Sequence, residues 1–444
     1  MTKNLLSKII SEFALNYQNF DSNKSSREIM NICLADWVSV AIAGQNEEIS
    51  KIVLKMALEN GGRKDSFTFG SKNYLPSSLA ALVNGTISHS LDFDDTNFEY
   101  LGHPSVVVIP STLAIADKLN ISFEIFLEAA IIGMEISTRV GKWLGRNHYR
   151  SGFHITSTAG VFGATVSSAR LLNLSLEKTI NAIGIASSRA SGIKVQFGTM
   201  GKPYHAGMAA SAGVESALLA KNGFQSSEKA IDGFQGFGDT HMSEFNNNAF
   251  NSLGNNFIFE KLNHKFHACC HGTHASIEAL ILLRDKYFLL PCHIKKIDVF
   301  VHPQYLNICN ITNPKTPLEA KFSYKMLLSM VMNKINTSLI ESFSNKLFIN
   351  LNITSLMDLI TIKPLENISE LSSKIDVTLK SEKILTENYN LSNLTNPIER
   401  EKKMMTKTSY LLGEEKSISL WNNIKKSNQL PSKWVYKNFN YENL

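Results

Sequence analysis

The chain is poor in cysteine. It has five, Cys33, Cys269, Cys270, Cys292 and Cys309, an odd number in 444 residues. That usage argues against a disulfide framework and points to a reducing compartment. Charge of one sign is scarce as well: 45 basic against 39 acidic residues leave a net +6, and no long basic run concentrates it. So weak a bias carries no electrostatic footprint for nucleic acid, and none is expected as a partner. Nor does any apolar run reach the roughly 18 uncharged residues of a membrane span. The best stretch, residues 126–140, is interrupted by Glu128 and Glu135. The N-terminal MTKNLLSKIISEFALNY has no signal-peptide apolar region and no small-residue cleavage site, and Glu12 with no arginine before Arg27 argues against a transit peptide. Leu5, Leu6, Ile9, Ile10 and Phe13 stand at helical spacing there, so the segment reads as an amphipathic first helix. The reading is a soluble, cytoplasmic, globular protein without a membrane partner.

What is present is core-forming material. A hydrophobic fraction of 43% with 19% charged residues can bury a large core and rules out wholesale disorder. The length suits about two or three domains. Helical patterns dominate the first part: IMNICLADWVSVAIAG, SLAALVNGTISHSLDF and FEIFLEAAIIGMEIS are apolar on several faces, as helices buried inside a bundle are. TSTAGVFGATVSSARLL and HAGMAASAGVESALLAKNG are rich in Gly, Ala and Ser, which lets helix backbones approach closely. The β-branched VVVI of residues 106–109 runs into a helical pattern. The Asn-rich SEFNNNAFNSLGNNF reads as a loop or boundary. Beyond it, IKKIDVFVHP (294–303), LFINLNITS (347–355) and KIDVTLKS (374–381) alternate as strands with one solvated face, between helical HASIEALILLRDKY and YKMLLSMVMNK. A small α+β domain follows from this, and two more helical stretches in the tail.

Four segments carry candidate chemistry. In the first, His89-Ser-Leu-Asp92-Phe-Asp94-Asp95-Thr96 precedes Gly102-His103-Pro104-Ser105. Three carboxylates so close repel one another, so they either bind a cation, hold a network of donors, or form a solvated helix end. In the second, Gly152-Phe153-His154-Ile155-Thr156 opens a small-residue helix that Thr156 or Ser157 would cap. The third, Gly198-Thr-Met-Gly201-Lys202-Pro203, fails the phosphate-loop spacing and reads as a turn aiming Lys202 into a cavity. The fourth, His264-Lys265-Phe-His267-Ala-Cys269-Cys270-His271-Gly-Thr-His274, offers several metal-ligand types, with Cys270 and His274 four apart. It lacks a second cysteine pair at structural-zinc spacing, and an anion pocket with Lys265 and His271 as donors is the competing reading.

In this order, HSLDFDDT with GHPS, SGFHITSTAGVFGATVSSARLL, GTMGKPYHAGMAASAGVESALLAKNGF and KFHACCHGTHASIEAL, joined by AKFSYKMLLSM at 320–330, resemble the MmgE/PrpD family over residues 85–330. That family includes 2-methylcitrate dehydratase, cis-aconitate decarboxylase and iminodisuccinate epimerase. The resemblance implies a mostly α fold: a large all-helical domain plus a smaller inserted α+β lid domain. The boundaries expected here are 1–264 for the helical domain, 265–397 for the lid and 398–444 for C-terminal helices returning to the helical domain. It also implies a homodimer, an active site between the domains, and no metal or organic cofactor. Asp92 and Thr96 match the acidic motif beside the substrate, His103 the histidine of the His-Pro turn, and His154 the histidine before the small-residue helix. Lys202 matches the lysine of the Thr-x-x-Lys-Pro motif, and Lys265 the lysine opening the lid segment.

Two departures stand out. The decarboxylases place a histidine where Cys270 stands, with His271 next to it here, and a tyrosine where Met326 stands, with Tyr324 nearby. These changes weigh against cis-aconitate decarboxylation specifically. Asp92, His103, His154 and Lys202 are therefore the catalytic candidates, and Thr96, Lys265, Cys270, His271 and Tyr324 the substrate-binding ones. All the family's reactions break a bond beside a carboxylate, so cations placed there and a histidine near neutral pKa suit them. The activity expected is a cofactor-free lyase acting on a small di- or tricarboxylate by proton abstraction next to a carboxylate, first of the 2-methylcitrate dehydratase type. An epimerase of an imino- or amino-dicarboxylate and a cis-aconitate decarboxylase are the alternatives.

Overall fold

The structure is a computed structural model that describes residues 5–20, 23–393 and 396–439; the outermost residues of the expected N- and C-terminal segments lie outside these. Two compact units result: Met1–His264 with Arg400–Leu444, and Lys265–Glu399. The chain is mostly helical with one small sheet. Among the described residues no helix is long and apolar enough to cross a membrane.

Among the described residues the first unit begins with nine helices: α1 (Leu6–Asn16), α2 (Lys24–Gly44), α3 (Glu48–Asn60), α4 (Ser77–His89), α5 (Ser105–Leu119), α6 (Phe123–Arg150), α7 (Ile155–Leu171), α8 (Leu176–Arg189) and α9 (Gly201–Lys221). The amphipathic α1 buries Leu6, Ile10 and Ala14, a repeat of four that fits one face of a helix. The run of β-branched residues at 106–109 is helical inside α5, whose residues are buried continuously from Ser105 to Ala116. Tertiary burial overrides strand propensity there.

Helices α4, α6, α7 and α9 pack closely, and small residues make this possible. A Cβ added to Gly207 of α9 would lie 2.2 Å from the Leu82 carbonyl oxygen of α4. One added to Gly163 of α7 would lie 2.3 Å from the Gly133 carbonyl oxygen of α6. In both places the obstacle is backbone, which cannot move aside as a side chain can. The Gly/Ala/Ser-rich segments thus form the tightly packed centre that their composition suggested.

The acids that interrupt apolar runs have partners. Glu135 of α6 pairs with Arg139 one turn on, Nε to Oε1 at 2.5 Å, both fully buried. The rest of the guanidinium donates to the carbonyls of Ala249 (2.7 Å), Asn251 (2.9 Å) and Asn256 (2.5 Å). Glu135 in turn accepts the N–H groups of Ile258 and Phe259 at 3.2 and 3.0 Å. The Asn-rich loop is therefore not a loose linker: one buried ion pair satisfies its backbone.

After a short helix α10 (Phe237–Thr240), the second unit holds α11 (His274–Tyr287), α12 (Pro317–Ala320), α13 (Tyr324–Met332) and α14 (Leu351–Met357). Its sheet comprises β1 (Ile294–Val301), β2 (Ile360–Pro364), β3 (Ser372–Leu379) and β4 (Ile384–Asn390), in the order β2-β1-β3-β4. β1 and β2 are parallel, and the other pairs are antiparallel. α11 packs on β3 and β4. Two of the three expected strands, at 294–303 and 374–381, are present. The third is not. Residues 351–357 form α14, because Asn350 accepts the N–H of Asn352 at the helix start and the buried residues are Ile353, Leu356 and Met357. Their spacing of three and one belongs to a helix rather than a strand. β2 and β4, which close the two edges of the sheet, were not anticipated. β4, ILTENYN, buries little beyond Leu385, so its pattern lacks an apolar face.

The chain then forms α15 (Pro397–Leu412), α16 (Glu414–Lys425) and α17 (Pro431–Asn438), one helix more than expected. From α15, the buried ammonium of Lys407 binds Asp36 Oδ1 of α2 at 2.5 Å and the Phe93 carbonyl at 2.6 Å, and it lies over the Phe93 ring. This C-terminal helix therefore holds the acidic stretch at residues 92–95 from behind. Close by, the buried Asp95 accepts a hydrogen bond from the Ser105 hydroxyl. Burial first, and the charge of Asp36 second, push its carboxyl up to about 7.

Two outcomes follow for stability. Arg139→Met should destabilise the protein to chemical denaturation by about 3–5 kcal/mol, because it strands a buried carboxylate and several carbonyls; a loss below about 1 kcal/mol would mean that the ion pair does not organise the loop. For Asp95, the folded-state value lies above the unfolded one. Its contribution is most favourable below about pH 4 and is lost as pH rises toward about 7. Asp95→Asn should therefore unfold at a higher temperature than the parent near neutrality, with a gap that widens from pH 4 to pH 7. A gap independent of pH would refute this assignment.

Candidate active site

The first cluster assembles where three helix ends meet a turn. α4 ends at His89, and the chain leaves it through Asp92, whose φ of 50° is left-handed. That conformation costs a non-glycine residue about 1 kcal/mol or more and turns the acidic stretch back on itself. Thr96 exchanges backbone hydrogen bonds with Asn263, and Asn97 does so with Gly102, which returns the chain and sets His103 beside Asp94. The His103 N–H donates to the Thr156 hydroxyl of α7 at 3.1 Å. His154 occupies the N-cap position of α7, held by its N–H on the Gly192 carbonyl at 2.9 Å. Thr156 and Ser157, expected as the cap, lie inside the first turn instead, and no side chain caps this helix. Lys202 and His205 come from the first turns of α9.

The contacts are specific. Lys202 Nζ lies 2.7 Å from Asp92 Oδ2, with Phe197 under the ammonium. Asp92 Oδ1 is 3.9 Å from His103 Nε2. His103 Nδ1 is 2.7 Å from the Asp95 carbonyl, 3.1 Å from Asp94 Oδ2 and 3.5 Å from the Thr96 hydroxyl. His89 Nδ1 is 2.8 Å from Asp94 Oδ1. His154 and His205 face each other through Nδ1 atoms 3.1 Å apart, so one must donate while the other accepts. All four catalytic candidates, Asp92, His103, His154 and Lys202, thus stand in one cluster with Thr96 beside them.

Electrostatics separates their roles. Burial alone would raise the Asp94 carboxyl, but the imidazoles of His89 and then His103 outweigh it and hold the group well below the usual carboxylate range. His154 goes the other way. Burial first, then the charges of Lys202 and the neighbouring histidines, press its pKa well below the ordinary value. His154 is therefore a neutral imidazole near pH 7, suited to donating or accepting one hydrogen bond. This corrects the expectation that it titrates near neutrality. Burial also lowers His205.

The remaining candidates belong to the second unit. Lys265 and His271 are buried and Cys270 is half-buried. The Cys270 N–H donates to the Lys321 carbonyl at 3.0 Å. Tyr324 is fully buried and donates its hydroxyl to the Gly272 carbonyl at 2.8 Å. Burial, with Cys309 adding to it, raises its phenol well above 10. That makes Tyr324 a tether for the turn before α11. Cys269 is pushed up to about 12 by burial, which leaves an inert thiol. His274 is held neutral by burial and by His271.

Two groups among the described residues could converge on a metal ion: His89, Asp92, Asp94 and His103, and the buried Cys33, Asp95 and His264. In the first, Lys202 already supplies the cation at Asp92. Cys269, Cys270, His267, His271 and His274 belong to neither group. The side chains of the cluster that the sequence reading passed over are His89, Asp94 and His205, all inside quoted motifs. His205 had a legible signal, since it lies one turn from Lys202 on the same helix face. The pairing of His89 with Asp94 had none, because it depends on the turn at Asp92.

The model of the MmgE/PrpD N-terminal domain matches residues 8–249, and that of the MmgE/PrpD C-terminal domain matches residues 267–421. The human cis-aconitate decarboxylase is 32% identical over 211 residues, covering 46% of this chain and 44% of that protein. A cis-aconitate decarboxylase-like protein, oryM, of Aspergillus oryzae is 30% identical over 234 residues, 49% of this chain and 48% of its own length. The cis-aconitate decarboxylase of Aspergillus terreus is 25% identical over 321 residues, 68% of this chain and 62% of its own. The chain thus spans about half the length of the first two relatives. With both domain models matched in order along the chain, the protein belongs to the MmgE/PrpD family.

Proposed function

We propose that the protein is a lyase acting on a small di- or tricarboxylate, with proton transfer at a carbon next to a carboxylate. The observation that carries this reading is the Lys202–Asp92–His103 array, an ammonium and an imidazole on either side of one half-buried carboxylate. Lys202 binds a substrate carboxylate in place of Asp92 and stabilises the charge that develops on its oxygens. His103 presents Nε2 to the same place and moves the proton. His154, neutral and buried, orients the substrate through a hydrogen bond. Thr96, with its hydroxyl near His103, completes the wall.

Two bond-breaking steps fit this array. The named relatives favour decarboxylation, in which the electrons of the C–CO₂ bond pass into the remaining unsaturated acid and His103 returns a proton to carbon. Dehydration of a hydroxy-tricarboxylate of the 2-methylcitrate kind uses the same proton position, with hydroxide leaving as water. The second reading is supported by Cys270 and Met326, which stand where the resemblance expects histidine and tyrosine. Tyr324 does not replace that tyrosine, since its hydroxyl is committed to Gly272. Epimerisation of an imino- or amino-dicarboxylate would return the proton to the opposite face. Lys265, Cys270 and His271 are the candidates for binding the remainder of the substrate.

Proton NMR in D₂O tests this with cis-aconitate, 2-methylcitrate, citrate and iminodisuccinate in separate tubes. New vinylic signals with loss of CO₂ identify the decarboxylase, and vinylic signals at unchanged carbon count identify the hydro-lyase. Deuterium entering an α-position without net product identifies the epimerase. Lys202→Ala should reduce turnover by at least about 10²-fold with an unchanged circular dichroism spectrum. Turnover near the parental rate would remove Lys202 from the reaction.

A further inference from the structure

Asp94 is enclosed, 1% exposed, and it makes no contact that the proposed reaction uses directly. Its two oxygens face two different imidazoles, Oδ1 toward His89 Nδ1 at 2.8 Å and Oδ2 toward His103 Nδ1 at 3.1 Å. The two rings lie 4.7 Å apart. We propose that Asp94 is a positioning residue that fixes the tautomer of His89 and, beside the Asp95 carbonyl that holds the His103 proton, orients the His103 ring, so that both protons stay on Nδ1 and Nε2 of His103 is the atom that exchanges protons. This deepens the functional reading above and rests on it for its catalytic consequence, but not for the tautomers themselves.

Hydrogen-bond acceptors decide where the protons sit. His103 Nδ1 faces two oxygens with nothing to donate, the Asp95 carbonyl at 2.7 Å and the Asp94 carboxylate at 3.1 Å, both closer than the Thr96 hydroxyl at 3.5 Å. A lone pair placed there would face two others, so Nδ1 carries a proton in either charge state of the ring. Titration is thereby confined to Nε2, which points toward Asp92. His89 has a single acceptor, Asp94, on its Nδ1. Its buried Nε2 has no hydrogen-bond partner among the described residues. A proton on Nε2 would bury an N–H without an acceptor, at a cost of about 1–3 kcal/mol. The carboxylate stays charged in this pocket, which matches its depressed pKa. The charged and titratable groups around it are His89 on α4, Asp92, Asp95 and His103 in the turn, His154 at the start of α7, and Lys202 and His205 on α9. Lys407 of α15, paired with Asp36 of α2, approaches from behind through the Phe93 carbonyl.

Asp94→Asn separates the two rings. The amide has one acceptor oxygen and one NH₂ group for two imidazoles. His103 keeps its Nδ1 proton through the Asp95 carbonyl, so the amide oxygen belongs on its side. The NH₂ group then faces His89, which must move its proton to Nε2. Two-bond ¹H–¹⁵N correlation spectra of the full-length protein labelled with ¹⁵N-histidine read this directly, with His89→Gln and His103→Gln for assignment. In the parent, both rings should be Nδ1–H tautomers when neutral. In Asp94→Asn, His89 should switch to Nε2–H while His103 does not, and the charge transition of His103 should move to lower pH. The parental spectrum is decisive even if the variant does not fold: an Nε2–H tautomer at either ring overturns the proposal. So does a His89 that keeps its tautomer in a folded Asp94→Asn. With whichever carboxylate turns over, kcat should fall by roughly 10²–10⁴-fold while KM stays within about threefold. Confirmed tautomers without turnover of any carboxylate would fault the reaction assigned above and leave the role of Asp94 in place. Confirmed tautomers with an unchanged kcat would overturn the catalytic part of the proposal.

Discussion

Three carboxylates within four residues must be taken out of water at the end of α4, and the surrounding architecture answers that single electrostatic demand. Each acid is compensated differently. Asp92, half-buried, takes the ammonium of Lys202. Asp94, enclosed, takes two imidazoles. Asp95, equally enclosed and close to the charge of Asp36, is eased by protonation and by the Ser105 hydroxyl. An uncompensated charge at any of these places would cost several kcal/mol, comparable with the whole margin of stability of a domain. The same compensation makes the cluster chemically useful, because it gathers an ammonium, a neutral imidazole and the His103 ring around one accessible carboxylate.

Holding these groups in register is a packing problem, and the chain solves it with small residues and buried polar anchors. Backbone contact of Gly207 with Leu82 sets how closely α9 lies against α4, and that of Gly163 with Gly133 how closely α7 lies against α6. His154 at the N-cap of α7 and Lys202 in the first turn of α9 inherit that spacing. The acidic turn has its own supports: backbone pairing of Thr96 with Asn263, and Lys407 behind the Phe93 carbonyl. Residues far apart in sequence thus fix the direction of side chains that are neighbours in it. Preorganisation of this kind lets a fixed charge array stabilise a transition state without reorganising during the reaction.

Much of this was legible in the chain. Apolar periodicity gave α1, α2, α4 and α6 of the first unit, though α3 and α8 were not singled out, and alternation gave β1 and β3. Small-residue composition located the central helices, and the quoted motifs held every residue of the cluster. Where local pattern misled, the reasons are physical. Residues 347–355 alternate like a strand, yet an asparagine cap and one buried helical face make residues 351–357 a helix. β4 is an edge strand with little to bury, so it carries no apolar signal. Tyr324 was singled out as a substrate contact because nothing in the sequence reveals that its hydroxyl is spent on a turn.

The sequence by itself determined which residue types are available and roughly where the helices run, because those depend on neighbours three or four positions away. It also determined the family, because several motifs in fixed order carry that information. Only the tertiary structure decided how the acids and histidines are paired. Asp94 and His89 are five residues apart, at the end of a helix and beyond it, where no periodicity constrains their relative direction. Their meeting depends on the left-handed turn at Asp92 and on the strand-like return to His103. Tertiary placement likewise decided which groups carry charge, since desolvation makes His154 neutral and Asp95 reluctant to ionise, while two imidazoles outweigh burial and keep Asp94 charged.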